Sequence, residues 1–194
     1  MDIPALEPLR RLLRLALGLL KLPSGRRRIV IAFAYGLACH LAFAMAVIAM
    51  IAAMFFGMSK SFGRVPEPWS YIANAALILQ FPLSHSLLLS ERGRKMLLRL
   101  APREYAATLS TTTFALVASV QLFALFAFWT PSGTIWWSAQ GTALYATCTL
   151  YALSWLLLIW ASYDAGAEVQ SGALGWMSLA QNIKPVFPPM PPSG

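Results

Sequence analysis

The sequence predicts an all-α integral membrane protein: four transmembrane helices behind an N-terminal interfacial amphipathic helix, with both termini in the cytoplasm. Three observations predict it. First, 58% of the 194 residues are hydrophobic and 11% are charged, against about 25% charged in an ordinary soluble domain. That leaves too little polar surface to dress a water-soluble globule, so soluble enzymes and disordered, collagenous or disulfide-rich secreted chains are excluded. Second, four charge-free apolar runs are each long enough to cross a bilayer, which takes about 20 residues. Third, the basic residues cluster on alternate sides of those runs. A net charge of +8 and a pI near 10.0 would suit a nucleic-acid binder. Here the Lys and Arg residues flank apolar runs, so the sequence implies membrane edges and no nucleic-acid partner. Cys39 and Cys148 both lie inside apolar runs and imply no disulfide framework.

Three regions follow in order. Residues 1–28 form a basic amphipathic helix and linker. Its apolar stretch follows an acidic start (Asp2, Glu7) and ends on Lys21 and Arg26-Arg27-Arg28, the reverse of a secretory signal. Read as a helix after Pro8, it carries Leu9, Leu12, Leu13, Ala16, Leu19 and Leu20 on one stripe and Arg10, Arg14 and Lys21 toward the other. That pattern suits anionic lipid headgroups, at about 1 kcal/mol per basic residue.

Residues 29–162 hold the four spans, at about 29–56, 69–89, 106–129 and 135–162. Short links between them predict antiparallel packing of chain neighbours. All of the 15 basic residues except Lys60 and Arg64 fall on one side, which the positive-inside rule makes the cytoplasm. Trp69, Trp129, Trp136 and Trp137 fall at the opposite ends of the spans, where an interfacial aromatic belt belongs. Arg26, Arg27 and Arg28 anchor the cytoplasmic edge. Residues 163–194 read as a cytoplasmic surface segment, with Leu174, Trp176 and Leu179 along the membrane, followed by a Pro-rich tail at Pro185, Pro188, Pro189, Pro191 and Pro192.

Polar groups within the spans are functional candidates, because an unpaired one is costly in hydrocarbon. They are His40, Asn74, Gln80, His85 and Gln121. Asn74, Phe81 and His85 share one face of the second span, so that face must look into protein. Pro82 should kink the helix where Gln80, Ser84 and His85 cluster. A haem held between His40 and His85 would need two ligands at one depth. His40 is about 16 Å from the cytoplasmic edge and His85 about 6 Å at 1.5 Å per residue, an offset that disfavours haem. No Cys, Asp or Glu lies nearby at metal-ligand spacing. Ala34, Ala38, Ala42 and Ala46 form a small-residue stripe on the first span, with His40 pointing nearly opposite. Thr108, Thr112, Ala115 and Ser119 form another on the third. Phosphate loops, Ser-His-Asp sets and HExxH motifs are absent, and no carboxylate lies within a span. No catalytic, cofactor-binding or metal residue is therefore assigned.

From Arg26 onward the order of features resembles bacterial membrane proteins related to methanethiol S-methyltransferase and isoprenylcysteine carboxyl methyltransferase. His85-Ser86 closes a helix before the basic loop with Arg94 and Lys95. Pro102, Arg103, Glu104 and Tyr105 open the next helix, Trp129 and Pro131 end it, and Trp155 lies in the last span. Gly175 and the run from Lys184-Pro185 to Pro189 look like that family's cytoplasmic link. The resemblance implies an S-adenosylmethionine site built by a following Arg-His-Pro segment, which is missing before Gly194. The expectation is a non-catalytic, methyltransferase-like subunit without a cofactor, working with other membrane subunits in a bacterial inner-membrane complex of respiratory or photosynthetic type. The alternative is a partial S- or carboxyl-methyltransferase completed elsewhere.

Overall fold

The computed structural model describes residues 7–187. Asp2 and the prolines from Pro188 to Pro192 lie outside the described residues. Eight helices follow in order: α1 (Glu7–Gly18), α2 (Arg26–Phe55), α3 (Trp69–Leu89), α4 (Glu91–Arg99), α5 (Ser110–Ala127), α6 (Gly141–Asp164), α7 (Ala167–Gln170) and α8 (Ala173–Gln181). There is no strand among the described residues. Helices α2, α3, α5 and α6 are long and apolar enough to cross a membrane, and they fall on the four expected runs.

The helix boundaries have local causes. α2 ends where Gly57 and Met58 turn left-handed, at φ 57° and 62°. The Met58 N–H then bonds back to the Ala53 carbonyl at 2.6 Å, closing the open carbonyls of the last turn. α3 runs through Pro82 and stops at Ser90. The Ser90 hydroxyl accepts from the Gly93 N–H at 3.2 Å and starts the short basic helix α4.

α5 is the centre of the packing. It lies against α2 on one side, α3 on another, and α8 near its start. Of the chain neighbours expected to pair, α3 and α5 pack extensively. α2 sits against α5 rather than α3, because its small residues fit α5's small residues. Between lipid-facing helices there is little hydrophobic drive, and close backbone approach decides which helices pair. The buried stripe of α2 is Ala32, Gly36, Cys39, Ala42, Ala46 and Ala53. It shares Ala42 and Ala46 with the expected ladder, whereas Ala34 and Ala38 are exposed. Four-residue steps drift about 40° each around a helix of 3.6 residues per turn, so such a ladder leaves the contact after two steps. His40 is accordingly not opposite the packed face but on its flank, one helical turn from Gly36.

Two features depart from the sequence reading. Residues 173–181 do not lie along the surface: seven of the nine residues of α8 are buried, and the helix fills the space between α2 and α5. α6 does the reverse, with none of its 24 residues buried. It touches α2 through Tyr151, whose hydroxyl donates to the Ile51 carbonyl at 2.7 Å and whose ring meets Phe55 at 5.6 Å.

One end of the bundle gathers α1, the start of α2, α4 and the end of α8. There Arg27 pairs with Glu104 at 3.5 Å, and Tyr35 donates to the Leu100 carbonyl at 2.8 Å. Trp69, Trp129, Trp136 and Trp137 lie at the other end, beyond the ends of α2 and α5.

Candidate functional site

The largest set of buried polar contacts forms where α7 and α8 fold back into the bundle. Two left-handed glycines allow it: Gly166 at φ 88° and Gly172 at φ 74° reverse the chain after α6. Gly172 also rests so close to Cys39 and Ala115 that a Cβ would lie 2.9 Å from each. Gly36 and Gly175 serve the same close approach. A Cβ on Gly36 would sit 2.6 Å from the Trp176 ring, and one on Gly175 would sit 2.5 Å from the Thr112 hydroxyl.

Thr112 joins α5 to α8. Its hydroxyl donates to the Gly172 carbonyl at 2.6 Å and accepts from the Trp176 N–H at 2.9 Å. These are the two groups that would form the first i→i−4 bond of α8, so one buried hydroxyl serves the open end of a helix whose N-cap is glycine. Trp176 then reaches across to α2. Its indole N–H donates to His40 Nε2 at 3.0 Å, with the rings edge-on at 5.8 Å. His40 therefore carries its proton on Nδ1. Next to it, the Cys39 thiol donates to the Ser171 carbonyl at 3.4 Å.

The rest of the lock is ionic and backbone-directed. Glu168, 1% exposed, accepts from Arg11 Nε at 3.0 Å. Its second carboxylate oxygen and the Ser178 hydroxyl have no partner among the described residues. Gln181 donates to the Leu15 carbonyl at 2.8 Å. Arg28 was expected as a surface anchor beside Arg26 and Arg27. It turns inward instead and donates to the carbonyls of Pro23 at 2.8 Å and Ala180 at 3.3 Å. The reason is the end of α8, whose last carbonyls need donors and favour a cation.

A second polar seam joins α3 to α5. Gln80 donates to the Gln121 backbone carbonyl at 2.9 Å, Gln121 donates to the Ser84 hydroxyl, and Ser84 donates to the Gln80 carbonyl. His85 lies between Phe81, stacked at 5.5 Å, and Phe114, edge-on at 5.0 Å, and its Nδ1 has no partner among the described residues. Toward the tryptophan end, Asn74 donates to the Thr130 carbonyl at 2.8 Å and accepts from the Thr130 N–H at 2.9 Å.

The structure thus brings Gln80, His85 and Gln121 together and leaves His40 elsewhere. Thr112 and Phe114, which face the two histidine clusters, are two residues apart on α5, or about 200° around it. The histidines lie on opposite sides of that helix, and His40 Nε2 already accepts from Trp176, so no common ligand position exists for the pair. Among the described residues, no three His, Cys, Asp or Glu side chains could jointly hold a metal ion. Trp69, Trp136 and Trp137 are exposed on the bundle's end, Trp136 at 92%.

Glu168, Arg11, Cys39, Ser178 and Gln181 have no expected role in the sequence, and Trp176 is expected on the membrane surface. Their signal was the small, hydroxyl-bearing face of α5, which requires a closely approaching partner. Comparison of the chain with family models, curated proteins and solved structures found no match. The class that the fold defines is a helical membrane protein with four candidate spans and an inserted C-terminal helix.

Proposed function

We propose that this chain is a non-catalytic subunit of a bacterial inner-membrane complex, of respiratory or photosynthetic type, with its basic end in the cytoplasm. The observation that carries this reading is α6. It is apolar along its length and 24 residues long, yet none of its residues is buried by the rest of the chain. Trp155 and Trp160 lie on it, and the hydroxyls of Thr147, Thr149, Ser154 and Ser162 all return to carbonyls four residues earlier. Such a helix offers neighbouring spans an aromatic, hydrogen-bond-satisfied surface. Helices α1, α2, α5 and α7 are tied together by the α8 lock around their own core. Amphipathic α1 and the arginines at the basic end suit anionic headgroups of the cytoplasmic leaflet.

The reading as a partial methyltransferase using S-adenosylmethionine has less support. His85 is held between the rings of Phe81 and Phe114, beside the Gln80–Ser84–Gln121 contacts that join α3 to α5. The methyltransferase-like resemblance therefore enters only as a likeness of scaffold.

The test is purification of the full chain from native membranes in mild detergent, with mass spectrometry of the co-purifying chains and residue-level cross-linking from α6. Fixed stoichiometry with other membrane subunits and cross-links from Trp155 or Trp160 support the proposal. Recovery as a free monomer, or cross-links to lipid alone, overturns it.

A further inference from the structure

Two cavities meet at Lys60, at the tryptophan end of the bundle. One is an apolar slot of about 270 Å³ between α2 and α5, lined by Met45, Ile48, Ala49, Phe123 and Phe126. The other is a wider chamber of about 720 Å³, lined by Glu67, Tyr71, Asn74 and Trp136 among others. Lys60 lines both. Ser61 also lines the slot; it is 5% exposed, and its hydroxyl has no partner among the described residues.

The rim between the cavities is held in place from the end of α5 and the residues that follow it. Phe62 N–H donates to the Ala127 carbonyl at 2.7 Å, Gly63 N–H to Trp129 at 3.1 Å, and Val65 N–H to the Thr130 hydroxyl at 3.3 Å. The other cation of this loop, Arg64, is directed at the Ser61 and Gly63 carbonyls at 3.1 and 2.7 Å. Lys60 is thus presented by an ordered turn, at the junction of an apolar slot and a polar chamber. Beyond it in the chamber stands a carboxylate, Glu67, with the Tyr71 hydroxyl 3.5 Å away.

The slot thus supplies hydrocarbon and an orphaned hydroxyl, the chamber supplies an anion, and the cation is common to both. A phospholipid with an ammonium headgroup has the complementary groups: acyl chain, ester carbonyl, phosphate and ammonium. We infer that the paired cavities bind one such zwitterionic lipid from the leaflet at this end. An acyl chain enters the slot, the ester carbonyl accepts from Ser61, the phosphate meets Lys60, and a primary ammonium donates to Glu67. The site is independent of α6 and of the subunit reading.

The experiment uses the full chain in lipid-free detergent micelles, offered equal amounts of phosphatidylethanolamine, phosphatidylcholine and phosphatidylglycerol with matched chains. Native mass spectrometry reads the bound lipid. Phosphatidylethanolamine should be retained about tenfold better than phosphatidylcholine, whose quaternary ammonium has no N–H for Glu67. Lys60→Met should lower retention of all three, and Glu67→Leu, which leaves no acceptor, should bring phosphatidylethanolamine down to the phosphatidylcholine level. In the unmodified protein, a phosphatidylethanolamine carrying a diazirine on its chain should label Met45, Phe123 or Phe126. Equal retention of the three lipids by the unmodified protein, or diazirine adducts confined to other surfaces, overturns the assignment whether or not the variants fold.

Discussion

Replacing Thr112 with Val tests whether one hydroxyl seats α8. Valine keeps the shape of threonine, so its methyl group occupies the position of the hydroxyl. It also keeps the Gly172 carbonyl and the Trp176 N–H apart, preventing them from closing on each other. Both backbone groups then lose their partner in a site where Thr112 is 0% exposed. A lost bond of this kind costs about 1–2 kcal/mol in a membrane protein, so the pair costs about 2–4 kcal/mol. At about 1.4 kcal/mol per factor of ten, the unseated population rises roughly 30-fold to 700-fold. Cys39 reports it, because the thiol is 0% exposed beneath Ser171 and Gly172 while Cys148 on α6 is partly exposed. Labelling by a membrane-permeant maleimide, under conditions where reclosing outpaces reaction, follows the open population. Cys39 should therefore label faster by that factor, with Cys148 unchanged as the internal reference. Thr112→Ser retains the hydroxyl and should stay within a few-fold of the parent. Parental Cys39 labelling in Thr112→Val would refute the assigned role of the hydroxyl.

Three further outcomes are expected. Gly36→Val drives a side chain into the Trp176 ring, which a Cβ alone would meet at 2.6 Å. It should destabilise by about 1–3 kcal/mol, read as a lower thermal midpoint by circular dichroism. Arg11→Met leaves the buried Glu168 carboxylate unpaired and should cost about 3–5 kcal/mol in a reversible unfolding titration, whereas adding Glu168→Leu should recover most of that loss. Asn74→Leu removes both bonds to the Thr130 backbone, and hydrogen exchange at residues 127–130 should accelerate about tenfold or more while α8 amides keep their protection.

The spans were legible because a bilayer imposes a length and a polarity that few other environments require. The ends of α2 and α3 fall within three residues of the apolar runs. α5 starts later, at Ser110, because residues 101–109 turn beneath the bundle instead of extending the helix. α8 was not legible. Leu174, Trp176 and Leu179 give the same spacing whether a helix floats on a membrane or fills a core, and periodicity cannot separate the two. The distinguishing residues were Gly172 and Gly175, which matter only opposite Thr112 and Cys39, 60 or more positions away. Arg28 was hidden for a similar reason: within a run of three arginines, nothing local marks the one that turns inward. The partnership of Asn74, Gln80 and Gln121 with protein was legible in outline, since amides in hydrocarbon must find partners. Which partners they find, backbone carbonyls for Asn74 and Gln80 and the Ser84 hydroxyl for Gln121, depends on helix packing.

The position of α8 also orders the biogenesis of the chain. α2 and α5 precede α8 in the chain, so their facing glycine, threonine and cysteine surfaces are synthesised before the helix that fills the space between them. Until Trp176 docks, the Thr112 hydroxyl and His40 Nε2 lack the donors that α8 brings them. The core between α2 and α5 is therefore completed by a segment made well after both.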